Sequence, residues 1–199
     1  MAKHVDYFVS LNSPWTYLGS ARFDAMAAKY GAEVTIWPVS FGDVFAVSGG
    51  LPLPKRAPQR QAYRMMELKR WRDFLGMKLT LHPKFFPGPA DRASHLIIAA
   101  DRQGLDALRL AQAILTAVWA EERDGGDAAT LAAIASENGM DGAALARASE
   151  DQAIKRQFDA WTDEAIARNV FGAPTFAIDG ELFWGQDRLD FVERKLTQG

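Results

Sequence analysis

The chain contains no cysteine. That absence excludes disulfides, thiolate-ligated metal centres and any thiol redox chemistry of the protein's own. Histidine is scarce as well: His4, His82 and His95 lie far apart with no metal-ligand spacing, so no metal site is expected. An excess of one charge is also missing. The 23 basic and 25 acidic residues leave a formal net charge of −2, with no concentrated basic face to attract nucleic acid. No apolar run approaches the roughly 20 residues of a membrane span. Met1-Ala2-Lys3-His4-Val5-Asp6 has no signal-peptide pattern, and Gly49-Gly50 lacks the arrangement of a phosphate-binding loop. A soluble cytoplasmic protein without nucleic-acid or membrane partners is the expectation.

What is present is enough to build a core. Hydrophobic residues make up 48% of the 199 positions, sufficient for one large domain or two interleaved ones. Val5-Asp6-Tyr7-Phe8-Val9 reads as a strand, Trp15 to about Tyr30 as a helix closed by Gly31, and Val34-Thr35-Ile36-Trp37-Pro38-Val39 as a second strand. A βαβ unit of this kind implies parallel strands. From 41 to 169 strand signals nearly vanish. A Gly/Pro-rich loop runs over Gly49–Pro54, and helical patterns follow at about 58–75, 91–103, 106–122, 127–137, 141–147 and 151–168. After 170 strands return: Pro174–Ile178 and Glu181–Trp184 joined by an Asp179-Gly180 turn, then a helix over Arg188–Leu196. The expected fold is α/β: a thioredoxin-like four-stranded mixed sheet from residues 1–40 and 170–199, with 41–169 as a large all-helical insertion.

Asn12-Ser13-Pro14-Trp15 is the most informative stretch. Serine is a strong N-cap and proline the favoured first helical residue, so Ser13-Pro14 starts the helix. The Ser13 hydroxyl then sits at the positive end of a helix, where an anion is favoured. Thioredoxin-type redox proteins put a reactive cysteine at this point. Here the anion has to arrive with a ligand, and a thiolate is the leading candidate.

Three segments, Tyr7-Phe8-Val9-Ser10-Leu11-Asn12-Ser13-Pro14-Trp15-Thr16-Tyr17-Leu18, Phe171-Gly172-Ala173-Pro174-Thr175-Phe176 and Phe183-Trp184-Gly185-Gln186-Asp187-Arg188-Leu189, resemble in order and spacing the 2-hydroxychromene-2-carboxylate isomerases. Those proteins group with kappa-class glutathione transferases among DsbA-like thioredoxin folds. The resemblance runs end to end and implies a bound glutathione with its sulfur against the Ser13 hydroxyl. It also implies a cis Pro174, with the Ala173 backbone pairing to the tripeptide. Trp184, Gly185, Gln186 and Asp187 would meet the γ-glutamyl end, with the Asp187 carboxylate opposite the ligand's ammonium group. The implied reaction interconverts 2-hydroxychromene-2-carboxylate and a trans-o-hydroxybenzylidenepyruvate-type acid by transient thiolate addition.

Such a substrate needs a cation and apolar walls. Lys55, Arg56 and Arg60 supply cations after the Pro-rich loop; Lys55 is the nearest match to the family's substrate lysine, and Arg60 is its rival. Trp15, Tyr63 and Phe86 are the wall candidates, whereas Trp71, Trp119, Phe158 and Trp161 read as packing residues. The resemblance also implies a homodimer. Two other readings stay open: a kappa-like transferase that leaves glutathione on an electrophile, and a non-catalytic thioredoxin-fold binding module.

Overall fold

β1 (His4–Val9) runs parallel to β2 (Glu33–Pro38) and antiparallel to β3 (Thr175–Ile178), which pairs antiparallel with β4 (Glu181–Trp184), giving the order β2-β1-β3-β4. This is the sheet of the computed structural model, which describes residues 3–198. Strand residues alternate between faces, and β1 is covered on both. On one side Tyr7 stacks on its cross-strand partner Phe176, ring centroids 4.9 Å apart, and both meet Phe23 of α1 (Pro14–Tyr30). On the other, Phe8 packs with Trp37, Val39, Val44 and Ala165.

The insertion supplies α2 (Phe41–Ser48), α3 (Pro58–Leu75), α4 (Asp91–Arg102), α5 (Ala107–Ala120), α6 (Ala128–Glu137), α7 (Gly142–Ser149) and α8 (Gln152–Ala167); α9 (Leu189–Thr197) follows the sheet. Asp106, Asp127, Asp141 and Asp151 each cap a helix by accepting a backbone N–H from its first turn. The buried core continues from Val5, Tyr7 and Phe176 of the sheet through α1 into Leu96, Ile97, Leu110, Ile114 and Trp119 of the insertion. Among the described residues no helix is long and apolar enough to cross a membrane.

Six of the insertion's helices fall within a residue or two of their expected positions. α2 is an addition: eight residues containing Gly42, too short and glycine-weakened to stand out by periodicity. Packing holds it, through Phe41 and Val44 in the second core and a Ser40 N–H to Thr162 Oγ1 bond of 2.9 Å from α8. α9 begins at Leu189, after a 3-10 turn over Gln186–Arg188. At the β3–β4 hairpin Asp179 and Gly180 both take left-handed φ values, 52° and 80°, as a tight two-residue turn requires.

A polar cluster ties the outer end of α8 to the sheet. Asp6 accepts from Arg168 Nη2 at 2.7 Å and from Trp37 Nε1 at 2.8 Å. Burial pushes its carboxyl up, but the two hydrogen bonds and the Arg168 charge outweigh that and hold it below the ordinary aspartate value. The ionised form therefore stabilises the fold at neutral pH, and the contribution is lost as pH falls through the depressed value. Asp6→Asn should cost about 1 kcal/mol near neutrality, allowing for solvent screening. The gap from the parent should narrow as pH falls through the acid range, because the ionised form is what carries the contribution. Thermal melts recorded near neutrality and in acid check this; a gap that widens in acid would contradict it.

Candidate active site

Both parallel strands end on the same side of the sheet, and the chain leaving them builds the floor of a cleft. Ligands in open α/β sheets bind outside the carboxyl ends of such strands. Ser10, Asn12 and Ser13 follow β1; Val39 and Ser40 follow β2; Phe171, Gly172 and Ala173 precede β3. With α2, the start of α3 and the segment Phe86–Asp91 they enclose about 810 Å³. That volume suits a drug-sized ligand or two smaller molecules side by side.

Ser13 is the N-cap of α1, in extended backbone geometry, and its Oγ accepts from the Thr16 N–H at 3.3 Å. Accepting that bond uses only a lone pair of the oxygen, so the hydroxyl keeps its own proton to donate elsewhere. Pro14 has no N–H, no acidic residue occupies the first turn, and the Trp15 N–H has no partner among the described residues. The end of the helix thus presents an unbalanced positive dipole with one free donor beside a hydroxyl. The surrounding loop is held in place: Ser10 Oγ donates to Asn12 Oδ1, and Asn12 Nδ2 donates to the Gly88 carbonyl, both at 2.8 Å.

Opposite Ser13, the Ala173–Pro174 peptide is cis, as is Phe86–Pro87 on the adjoining wall. The Ala173 N–H and C=O have no backbone partner among the described residues, although Ala173 is half-buried on the cleft wall. Trp184, half exposed at the end of β4, lies against Phe171 with ring centroids 4.8 Å apart. Gly172 permits this approach, since a Cβ there would stand 2.3 Å from Trp184 Nε1.

The cations come from the start of α3 at four-residue spacing. Arg56, Arg60 and Arg64 all line the cleft, and none has a carboxylate partner among the described residues. Arg56 is steered by a 2.7 Å bond from its Nε to the Leu51 carbonyl. Burial, and then the neighbouring Arg60, lower its pKa. Arg64 lies over the Phe86 ring at 5.4 Å, and burial with the nearby Arg56 pushes it down to about 10. Asp91 is the acidic side chain among the described lining residues.

Of the residues expected at the site, the cleft wall includes Ser13, Trp15, Arg60, Phe86, Ala173 and Trp184, with Pro174 buried directly behind. Lys55 and Tyr63 are exposed and do not line it. Lys55 ends a 3-10 turn over Leu53–Lys55, which directs Leu53, Pro54 and Arg56 to the cleft instead. Gly185, Gln186 and Asp187 stand behind Trp184. Gln186 is buried and bonded to the Arg22 guanidinium, with Gly19 against its Cβ, while Asp187 pairs with Arg188 at 2.7 Å. Gly185, at φ 107°, donates its N–H to the Pro174 carbonyl at 2.8 Å and so braces the cis loop. Arg64, Asn12, Phe45 and Phe171 join the site beyond the expected set. For Arg64 a signal exists in the i, i+4 spacing from Arg60. No cluster of metal-binding side chains occurs among the described residues.

Fold and site together define a thioredoxin-fold protein with a helical insertion and a cysteine-free ligand cleft at the first helix. The chain belongs to the DSBA-like thioredoxin domain family, which matches it over residues 4–197. It is similar to a protein named 2-hydroxychromene-2-carboxylate isomerase from Sphingobium xenophagum, 27% identical over 98% of this chain and 99% of the relative. A protein of the same name from Pseudomonas putida is 28% identical over 95% of this chain and 92% of its own. Among solved structures, a 2-hydroxychromene-2-carboxylate isomerase superposes with a TM-score of 0.82 at 26% identity, covering 96% of this chain and 93% of that one. The resemblance drawn from the three motifs is thus matched in sequence and in fold.

Proposed function

We propose that this protein is a glutathione-dependent isomerase that interconverts 2-hydroxychromene-2-carboxylate and trans-o-hydroxybenzylidenepyruvate-type acids. One observation carries the reading: a hydroxyl and an N–H without a partner among the described residues open, at a helix N-terminus, into a cleft walled by arginines that have no carboxylate partner among them, in a chain with no thiol. The near-full-length similarity to proteins bearing the isomerase name supports it.

The residues present fit a tripeptide thiol. The unpartnered N–H and C=O of Ala173 offer the pairing edge that an extended peptide takes in β-augmentation, and Trp184 and Phe171 flank it. When bound, glutathione supplies a thiolate that adds reversibly to the carbon–carbon double bond, leaving a single bond free to rotate. Ser13 donates its O–H toward the sulfur position, and the Trp15 N–H and the α1 dipole add to the same field, so the ionised thiol is favoured near neutral pH. Arg60, at the cleft rim, holds the substrate's carboxylate, and Trp15 and Phe86 flank its apolar part. Lys55, on the outside of the turn, leaves that role to Arg60.

The test is turnover of a hydroxybenzylidenepyruvate with and without glutathione, followed by a glutathione assay. Isomerisation that needs glutathione yet returns all of it supports the reading. Steady loss of free thiol to a conjugate would make the protein a transferase instead, and absence of glutathione binding in calorimetry would leave a binding module. Arg60→Gln should raise KM for the acid about tenfold with kcat nearly unchanged, as loss of one rim-exposed charged contact predicts. A fall in kcat at constant KM would place Arg60 elsewhere in the reaction.

A further inference from the structure

We propose that a second, smaller chamber beside the cleft is an aryl subsite, and that Arg64 at its neck pairs with an anionic oxygen carried by the bound ring. The identity of this occupant rests on the isomerase reading; the existence of the subsite rests on geometry alone. The chamber encloses about 380 Å³ on the far side of Arg64 and Phe86, which line both spaces together with Leu53 and Pro87. Beyond the neck its walls include Met65 and Leu81. An apolar cavity of about 150 Å³ holds a benzene ring, so this one has room for a ring with substituents.

Arg64 gives the chamber its chemistry. Its guanidinium is half-buried over the Phe86 face, with only a weak 3.7 Å contact to Met65 Sδ and no carboxylate partner among the described residues. A desolvated cation facing the like charge of Arg56 is destabilised until an anion meets it. A carboxylate several bonds from the ring can stay at the rim with Arg60. An oxygen attached directly to the ring has to travel with it, and so stops at the neck as the ring passes Phe86. An aromatic ring bearing a phenolic oxygen therefore satisfies apolar wall and cation at once. The arrangement favours the phenolate form over the phenol.

The probe that tests this is para-nitrophenol, whose ionisation is read by colour, added without glutathione. Bound to the parent protein, its pKa should fall by about one unit, a tenfold shift toward the phenolate. Arg64→Met should abolish the shift and Arg64→Lys should restore part of it. Ala62→Trp should weaken binding at least about tenfold, because Ala62 lines the small chamber only, on an exposed helical turn where the ring can fill it without disturbing the core. Equal binding to Ala62→Trp, or an unchanged shift in Arg64→Met, overturns the proposal. So does a shift removed by His82→Gln, the chamber's other titratable group, and kept by Arg64→Met. Neither thiol nor turnover enters the measurement. A positive result with no isomerase activity would therefore leave the subsite standing while the enzymatic reading fails, and the converse result would do the reverse.

Discussion

Replacing Ser13 by alanine is expected to lower kcat of the glutathione-dependent isomerisation about 10²–10³-fold, the usual loss when one preorganised donor to a developing or resident anion is removed. The donor is well placed because its acceptor side is already used: Ser13 Oγ takes the Thr16 N–H at 3.3 Å, leaving the hydroxyl proton to point away from the helix. The variant should stay folded. An N-cap serine contributes about 1 kcal/mol, small beside the roughly 5–15 kcal/mol that holds a domain together. What should change is the pH at which bound glutathione ionises. Thiols at helix N-termini titrate at about 3.5–7.5, against about 8.5 free in solution. In Ser13→Ala, thiolate absorbance of the bound ligand should rise at higher pH than in the parent, though still below the free value, since the Trp15 N–H and the dipole remain. Ultraviolet titration of the complex and kcat measured on the same preparation check both halves. Full turnover with an unmoved titration would remove Ser13 from the chemistry.

The same position shows how much of the site is legible in the amino-acid order alone. Ser13-Pro14 carries its own explanation, because cap and first-turn proline act within a few residues of one another, and α1 starts there. Likewise the Asp179-Gly180 turn fixes the β3–β4 hairpin by local backbone preference alone. Gln186 is opaque for the opposite reason. Its burial depends on Arg22, 164 residues away, and on the bare backbone of Gly19, neither of which a local pattern couples to it. The cations fall between these cases. Four-residue spacing puts Arg60 and Arg64 on one face of α3, but which face meets the cleft is decided by the 3-10 turn over Leu53–Lys55 and by the Arg56–Leu51 bond. A side chain one residue off, such as Lys55, then points outward. Helix α2 escapes a local reading because the contacts that hold it, to Thr162 and Ala165 of α8, lie more than a hundred positions downstream.

Trp119→Ala should produce the largest loss of stability, about 3–5 kcal/mol, by emptying a fully enclosed indole site. Trp119 is the bulkiest of the completely buried side chains and lies against Phe86 with centroids 4.8 Å apart, so it supports the wall shared by cleft and chamber. Its removal should therefore also raise KM for the aromatic acid, even under conditions where the variant is folded. Trp119→Phe should behave differently. Trp119 Nε1 is buried with no hydrogen-bond partner among the described residues, and a donor left in that state costs about 1–3 kcal/mol. Phenylalanine gives up some packed volume but removes the stranded N–H, and the two effects oppose each other. The net change should stay within about 1 kcal/mol of the parent. Denaturant midpoints at constant slope separate the cases. A phenylalanine variant as unstable as the alanine one would overturn this, showing that relief of the buried N–H does not offset the lost packing.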